Sequence, residues 1–313
     1  MAGLNIVVGF FISVVALSQL IRWITKKYLP VRIYRCTISE LASSLQLCAC
    51  YMELRMLLEI GMWGGGYGPD VVSTLLFLLF LAHGFTFDGA SANPTVSVQE
   101  FLLREGPFID TIVKLLSQYV GMEAARFLTK QYWMLELTDF HTIQVMMADD
   151  CSPSLQISAA QGVFVEALCA FCYHLVLFRF QNSRPVYRIP TVALTVTLLA
   201  YAGASYTAAY FNPILAYALT FDCSGKSLQE NSIVYIGGSL VGMVVALFLN
   251  KGNIPRLFQR NLLYSQKSKF RTPKVKNVQP KSKKLSHHKG SEKKSGEARQ
   301  QKVENVTPKD KSS

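Results

Sequence analysis

Charge is scarce in most of this 313-residue chain, and its scarcity limits the class of protein. Asp, Glu, Lys and Arg make up 17% of the sequence, whereas half of the residues are apolar. Several apolar runs approach the ~20 residues that an α-helix needs to cross a bilayer. A soluble protein of this size would show amphipathic stripes instead. The composition therefore argues against a soluble globular protein and predicts an all-α membrane protein with several spans.

Net positive charge is confined to the end of the chain, although the whole sequence carries a formal +12. Residues 1–250 contain 14 Lys and Arg against 16 Asp and Glu, whereas residues 251–313 contain 18 against 4. Since few apolar residues follow position 266, we expect the tail to be disordered. Nucleic acid is one partner for such a tail, but basic clusters beside a span are also typical of cytosolic tails near anionic headgroups. We therefore expect the lipid bilayer as a partner and no nucleic acid.

Patterns typical of catalysis, metal binding and redox chemistry are missing. No HExxH motif occurs, and the histidines are scattered without ligand spacing. Candidate ligands or acid–base groups would be His83, His141, His174 and Asp88. We expect His83 and His174 to hydrogen-bond within helix packing instead. The pair Cys169-x-x-Cys172 matches a redox motif only in spacing, because no βαβ pattern surrounds it. The sequence therefore predicts no enzyme, no metal site and no cofactor.

Seven apolar segments are candidate membrane spans. They are residues 4–21, 38–60, 70–87, 111–135, 157–178, 190–208 and 231–250. The N-terminal MAGLN lacks the positive charge of a signal peptide, so we expect a retained helix with its N-terminus outside or lumenal. Basic loop 22–35 and the basic tail should both be cytosolic, and only an odd number of spans permits this. Loop 88–110 is the one loop that does not fit the charge rule.

The chain contains an internal repeat of three features in the same order. Glu40 recurs as Glu166, Asn93 as Asn212, and Gly121 as Gly242, at offsets of 126, 119 and 121 residues. Each repeat holds three spans, over residues 35–136 and 157–250, with an acidic outer loop at 137–156. Three is an odd number, so the two halves should be inverted in the membrane. Residues 1–34 form an extra helix and loop outside the repeat, and we expect both glycines at close helix crossings.

An Asn-Pro pair lies between apolar runs in each repeat. Asn is a favoured N-cap and Pro a favoured first helical residue, so Asn93-Pro94 and Asn212-Pro213 each predict the start of a short half-helix. Inversion lets the two helix N-termini meet at the membrane midplane, where they contribute partial positive charge. With the Asn side-chain amides as donors, such a pore would conduct water and small neutral solutes and repel cations.

These residues carry a resemblance to a known family. The order Glu40, Asn93-Pro94, Gly121, Glu166, Asn212-Pro213 and Gly242 resembles the aquaporins, over about residues 36–250. The extra N-terminal helix is similar to a divergent vertebrate branch of that family. The resemblance implies an inverted repeat of three spans plus one half-helix each, and a homotetramer with one pore per subunit. It also implies that Glu40 and Glu166 are structural carboxylates that hold the pore loops.

The pore motif departs from the usual pattern of the family. It reads Asn93, Pro94, Thr95 and Asn212, Pro213, Ile214, where the family usually has Ala in third place. Leu215 replaces the usual filter Arg, Ala200 stands at the usual filter His, and the filter aromatic falls at about Val72 or Ser73. The outer constriction should therefore be wider and uncharged, so that solutes of glycerol size could pass.

Two other functions remain open at this point. A seven-span receptor fits the span count and the outer N-terminus, but it does not explain the repeat or the paired Asn-Pro. An aquaporin-fold protein with little conduction, acting as a structural or interaction protein, is compatible with Ile214 and Leu215 in the second motif.

Two further features concern the outer loops and the cellular address. Cys151 and Cys223 both lie in predicted outer loops, on the oxidising side of a secretory membrane, and they could form a disulfide. Lys309 and Lys311 stand fifth and third from the end, as in the dilysine signal that retrieves membrane proteins to the endoplasmic reticulum. We therefore expect an intracellular membrane location with a cytosolic C-terminus.

Overall fold

The computed structural model of the chain describes residues 2–61, 67–103, 105–147 and 151–251. Over these residues the structure is helical, with connecting segments and no strand. The helices are α1 (Ala2–Tyr28), α2 (Arg32–Gly61), α3 (Pro69–Thr86), α4 (Pro94–Leu102), α5 (Phe108–Trp133), α6 (Asp139–Met146), α7 (Ala159–Phe180), α8 (Pro185–Gly203), α9 (Pro213–Thr220), α10 (Leu228–Asn231) and α11 (Ser239–Lys251). A π-helical segment, Ser232–Gly238, joins α10 to α11. The predicted tail beyond residue 251, with Lys309 and Lys311, lies outside the described residues.

Each of the seven predicted spans overlaps a long helical stretch, and the all-α membrane fold is confirmed. Five helical stretches of the described chain are long and apolar enough to cross a membrane: α1, α3, α7, α8 and the α10–α11 run. Helices α2 and α5 are 30 and 26 residues long but contain more charged residues. Two of the α2 charges, Glu40 and Glu53, are buried and hydrogen-bonded to other parts of the protein.

The predicted boundaries were wrong at α8, which begins and ends five residues earlier than expected. Pro185 begins the helix at its first position, where the missing N–H carries no penalty. Pro190, which the prediction treated as the start, lies inside the helix. Residues 204–208 were expected in the span but belong to the segment that leads to Asn212.

Helix α6 was not predicted, and it lies in the acidic segment 137–156, which was expected to be an outer loop. The Thr138 side chain caps it by accepting a hydrogen bond from the His141 backbone N–H. The His141 ring, fully buried, contacts a carboxylate oxygen of Glu53 at 2.9 Å. The Trp133 indole N–H donates to the other oxygen of Glu53 at 2.7 Å. Two buried polar side chains thus join α6 and the end of α5 to the same residue of α2.

The extra helix α1 is joined to α2 and α3 by polar side chains. The Arg22 guanidinium, 3% exposed, donates to Ser43 Oγ at 2.8 Å and to Gln46 Oε1 at 3.2 Å. Gln19 donates to the carbonyl of Thr86 at 2.7 Å. Within apolar helix packing, such hydrogen bonds satisfy groups that would be costly to leave unpaired.

Both predicted close crossings are confirmed. A Cβ atom at Gly121 would collide with the backbone carbonyl of Leu41, and one at Gly242 would collide with the carbonyl of Ala167. Leu41 and Ala167 directly follow Glu40 and Glu166. The same contact therefore recurs in both halves: α5 crosses α2 as α11 crosses α7.

We predict that Gly121→Ala lowers stability, because the new methyl group must displace backbone that cannot rotate away. Overpacking of this kind costs about 1–3 kcal/mol. The measurement is the apparent thermal midpoint in detergent at a fixed heating rate. Gly9→Ala is the matched control, since nothing lies within 4 Å of a Cβ built there. Equal midpoints for the two variants would contradict the close crossing.

Candidate functional site

The two short helices α4 and α9 begin directly after Asn93 and Asn212. They contain 9 and 8 residues, too few to cross a bilayer, and each has Pro in its first position. The Asn93 side-chain oxygen caps α4 by accepting from the Thr95 N–H at 3.0 Å. Asn212 occupies the same position before α9, but its side chain makes no capping bond. Its Oδ1 is buried and has no hydrogen-bond partner among the described residues.

A reciprocal pair of hydrogen bonds joins the two Asn-Pro loops. The Asn93 side-chain amide donates to the carbonyl of Phe211 at 3.3 Å, and the Asn212 amide donates to the carbonyl of Ala92 at 2.8 Å. We call this pair the amide clamp. Each NH₂ group has two hydrogens, so one hydrogen on each side chain is left for another acceptor. The amide clamp places the two Asn residues together although 119 positions separate them in the chain.

The residue before each Asn has an unfavourable backbone conformation. Ala92 has φ 47° and Phe211 has φ 34°, in the left-handed region that non-glycine residues rarely adopt. Such residues cost of order 1–3 kcal/mol and persist only where the surroundings hold them. The strain occurs at the same point of both loops, and it turns the carbonyls of Ala92 and Phe211 into the amide clamp.

Glu40 holds the first loop. Its buried carboxylate accepts hydrogen bonds from the backbone N–H of Ser91 at 3.1 Å and of Ala92 at 3.0 Å. Gln118 of α5 donates to the same carboxylate at 2.9 Å. These hydrogen bonds are charge-assisted and therefore stronger than neutral ones, so a buried carboxylate that accepts several of them can stabilise a strained backbone.

Glu166 holds the second loop in the same manner. The backbone N–H groups of Tyr210 and Phe211 donate to its carboxylate at 3.2 and 2.7 Å, and the Thr207 hydroxyl donates at 2.6 Å. In both repeats a carboxylate on a long helix thus accepts the backbone N–H groups of the two residues that directly precede the Asn. Both carboxylates thus pair backbone N–H groups of the loops that contain the Asn residues.

Thr95 occupies the third motif position and faces a histidine rather than open space. Its hydroxyl contacts Asn93 Oδ1 at 2.8 Å and the His174 ring at 3.0 Å. The other His174 nitrogen contacts Gln99. His83 contacts Gln46 at 2.9 Å. The expectation that His83 and His174 hydrogen-bond within helix packing is confirmed, and the Thr95 hydroxyl ties the first motif to α7.

A cavity of about 480 Å³ lies beside the amide clamp. Asn93, Asn212 and Leu215 line it, as do the aromatic side chains of Tyr51 and Tyr210. We call it the central cavity. The predicted filter positions Ser73 and Ala200 do not line it. Of the three predicted filter residues, the structure therefore brings only Leu215 to the cavity that contains the Asn pair.

Val72 and Ala200 meet elsewhere, in an apolar cluster. Val72 is buried with Leu54 and Leu76, and Ala200 packs against these side chains. Ser73 is half-buried and does not belong to the cluster. The region assigned to the outer filter thus contains packed apolar side chains on α2, α3 and α8.

The far end of α9 is fixed by two groups. Arg55 donates to the carbonyl of Leu219 at 2.6 Å, to the Tyr210 hydroxyl at 2.7 Å, and to the carbonyl of Ser152 at 2.8 Å. The structure pairs Cys151 with Cys223, whose Cα atoms are 4.9 Å apart. The Cys151–Cys223 pair joins the segment before α7 to the segment after α9, and Arg55 joins the segment before α7 to the last turn of α9.

Sequence reasoning missed Arg55, Gln118 and Thr207. Arg55 left a signal, because an arginine inside an apolar run must find partners and marks a functional or structural site. Gln118 and Thr207 left none, since their importance depends on the carboxylates that they meet in three dimensions.

We predict that Glu166→Gln destabilises the protein. The substituted NH₂ must face a backbone N–H donor, and an unpaired buried donor costs about 1–3 kcal/mol. Glu136→Gln is the control, because it removes the same charge from a residue that is exposed. The measurement is the apparent thermal midpoint of each variant in one detergent. A midpoint for Glu166→Gln as high as that of Glu136→Gln would show that the carboxylate does not hold the loop.

Comparison with known proteins identifies the family. No protein-family model matches the chain. It is 48% identical to aquaporin-12 of Mus musculus over 290 residues, which are 93% of this chain and all of the relative. It is 33% identical to aquaporin-11 of Equus caballus over 257 residues, 82% of this chain and 92% of the relative. The X-ray structure of the aquaglyceroporin from Plasmodium falciparum has the same fold, with a TM-score of 0.54 and 15% identity, over 72% of this chain and 99% of that one. The chain therefore belongs to the aquaporin family of membrane channels.

Proposed function

We propose that this protein passively conducts water and small neutral solutes, including solutes of glycerol size, past Asn93 and Asn212. The amide clamp is the observation that carries the proposal. It brings two polar side chains from opposite repeats to one wall of the central cavity. Each amide keeps one hydrogen that a water or hydroxyl oxygen can accept.

Electrostatics supports exclusion of cations. The N-termini of α4 and α9 begin at the Asn pair, and unpaired N–H groups at helix N-termini carry partial positive charge. This charge repels a passing cation from both repeats, whereas it does not repel a neutral solute. Leu215 brings no charge to the Asn pair, and the charged residues of the cavity lining are Glu100, Glu105 and Arg188. In our proposal the exclusion at the Asn pair therefore rests on the helix ends.

The composition of the central cavity favours solutes larger than water. Leu215 and Phe211 supply apolar surface next to the Asn amides. A polyol presents hydroxyl groups on one side and C–H groups on the other, and it matches such a wall. We therefore include glycerol-sized solutes in the proposal, alongside water.

A second function rests on the apolar cluster. Leu54, Val72 and Leu76, with Ala200 packed against them, occupy the region assigned to the outer filter. Hydrophobic constrictions can close a pore by expelling water. If this cluster stays closed, the protein is an aquaporin-fold structural or interaction protein with little conduction. Solute flux in vesicles separates the two functions.

The assembly and address that we propose come from the family and from the tail. Aquaporins form homotetramers with one pore per subunit, and we propose the same assembly here, which the mass of the purified complex tests. We also propose residence in the endoplasmic reticulum or another internal membrane, with a cytosolic C-terminus. Lys309 and Lys311 support this address, since a receptor reads such a signal on the cytosolic side.

We predict that stopped-flow light scattering will detect water and glycerol flux in proteoliposomes of the native protein. Asn212→Asp should reduce this flux roughly tenfold or more. An ionised Asp has no hydrogen to donate, either to Ala92 or to a passing solute, and each 1.4 kcal/mol added to the barrier for passage lowers the flux by a factor of ten. The added negative charge should also admit cations.

The control for this experiment is Asn182→Asp, which makes the same charge change at an exposed residue between α7 and α8. It should leave the flux unchanged. Absence of flux in the native protein would refute conduction and would favour the second function, that of a structural or interaction protein. Identical flux and cation permeability in the two variants would refute a role for the amide clamp in conduction.

We predict that Lys309→Ser with Lys311→Ser releases protein to the cell surface. The change removes both basic positions of the proposed retrieval signal and leaves the rest of the chain intact. Surface biotinylation in transfected cells measures the result. Replacing Lys302 and Lys294 with Ser is the control for net charge. If neither pair changes surface labelling, the retrieval signal does not operate.

A further inference from the structure

A second cavity, of about 270 Å³, lies between the end of α1 and the start of α2. We call it the basic cavity, because five basic side chains line it. They are Arg22 and Lys26 of α1, Arg32 and Arg35 of α2, and Lys114 of α5. On each of the two helices the lining residues are spaced three or four apart, as for one helix face. Neither Asn93 nor Asn212 lines it, so the amide clamp is not part of this cavity.

The two acidic residues that line the basic cavity, Glu40 and Asp88, already have partners. Asp88 forms a salt bridge with Lys26 at 2.6 Å, and Glu100 forms one with Lys114 at 2.6 Å. The Glu40 carboxylate accepts the backbone bonds of the first pore loop. Arg22, Arg32 and Arg35 form no salt bridge with any described residue. Three guanidinium groups thus surround one cavity without a carboxylate of their own.

Two buried polar atoms at the basic cavity also have no partner. Arg22 is 3% exposed, and its Nε–H makes no hydrogen bond with the described part of the chain, although both of its terminal nitrogens do. The Ser39 hydroxyl, on the cavity-lining face of α2, is buried and equally unpaired. A buried donor without an acceptor costs about 1–3 kcal/mol, so each such group calls for an explanation.

The start of α2 adds a further anion-binding element. The helix begins at Arg32, and the first N–H groups of a helix have no partner within it. They point outward with partial positive charge, which favours anions. Arg32 and Arg35 extend from the same first turn. The helix end, three guanidinium groups and two unpaired buried donors therefore converge on one cavity.

We propose that the basic cavity binds a phosphate group, supplied by the headgroup of an anionic lipid or by a soluble phosphate. A phosphate offers several acceptor oxygens and up to two negative charges, and guanidinium groups bind it through paired hydrogen bonds. The charge rule predicts that the basic residues at the end of α1 and the start of α2 lie on the cytosolic side, where anionic lipids are concentrated. Gly89 and Ala90 line both this cavity and the central cavity, so a bound phosphate touches the loop that leads to Asn93.

The test is a thermal-shift titration of the full-length protein in detergent with three probes. Dioctanoyl phosphatidylinositol 4-phosphate presents an anionic lipid headgroup, and inorganic phosphate presents a soluble anion. Dioctanoyl phosphatidylcholine has no net charge and serves as the lipid control. A ligand that binds the folded state raises the midpoint in proportion to the logarithm of its concentration above Kd. We expect a rise with the phosphoinositide and none with phosphatidylcholine.

Two variants locate the site. Arg32→Gln with Arg35→Gln removes two exposed guanidinium groups and should weaken binding by about tenfold or more. Ser39→Ala leaves the net charge unchanged and should weaken binding roughly two- to tenfold, the range for one hydrogen bond. Arg179→Gln with Arg184→Gln is the matched control, since it removes two exposed arginines, one in the last turn of α7 and one directly before α8. That control should bind as the native protein does, with the basic tail intact in every case.

Each outcome bears on the proposal. A rise with inorganic phosphate as well as the phosphoinositide supports a site for soluble phosphate, and a rise with the lipid alone supports a headgroup site. No rise with either probe refutes the proposal. Equal weakening in the Arg32/Arg35 and Arg179/Arg184 variants also refutes it, because binding would then follow total charge. Unchanged affinity in Ser39→Ala would exclude the buried hydroxyl and with it the site as proposed.

Discussion

The architecture depends on keeping two stretches of irregular backbone satisfied inside a membrane protein. Lipid offers no hydrogen bonds, so non-helical backbone at that depth is tolerated only where protein or a water-filled cavity pairs its polar groups. Glu40 and Glu166 meet this requirement by accepting the N–H groups that precede each Asn. The amide clamp then pairs the carbonyls of Ala92 and Phe211. The strained conformation of these two residues persists because the N–H and the carbonyl of each one are hydrogen-bonded.

The rest of the helical frame serves this arrangement. Gly121 and Gly242 let α5 and α11 approach the helices that carry the two carboxylates. The points of contact, Leu41 and Ala167, are the residues that directly follow Glu40 and Glu166. Arg55 fixes the far end of α9, so the N-terminus of α9 stays against Asn93. Close packing, buried carboxylates and the amide clamp thus form one connected system. Its purpose, in our proposal, is to leave two amide hydrogens free beside a cavity.

Much of this system was predictable from the sequence, because it depends on local patterns. Apolar runs of span length predicted the long helices, and Asn-Pro pairs predicted the starts of α4 and α9. The order of Glu, Asn and Gly in each half predicted the inverted repeat and the close crossings at Gly121 and Gly242. Each of these inferences uses residues that are near one another in the chain or that recur at a fixed offset.

The remainder depends on contacts between distant residues. The partners of Asn93 and Asn212 are backbone carbonyls, which any residue supplies, so no residue type marks them. Thr95 departs from the family pattern, and the sequence does not show that its hydroxyl contacts the His174 ring on α7. Helix α6 is eight residues long and is held by buried contacts to Glu53 rather than by an apolar stripe. Ser73 and Ala200 were placed by counting along helices, and counting does not show which side chain faces a cavity.

The central claim is that solutes pass through the central cavity beside the Asn pair. Leu215→Cys tests it most directly, because this position lines the cavity next to Asn212. Leu198→Cys, exposed on α8, is the control, and the unmodified protein with its own cysteines is the reference. The account predicts that a membrane-permeant thiol reagent blocks water and glycerol flux through Leu215→Cys and leaves the other two proteins unaffected. Complete labelling of Leu215→Cys with unchanged flux would contradict it.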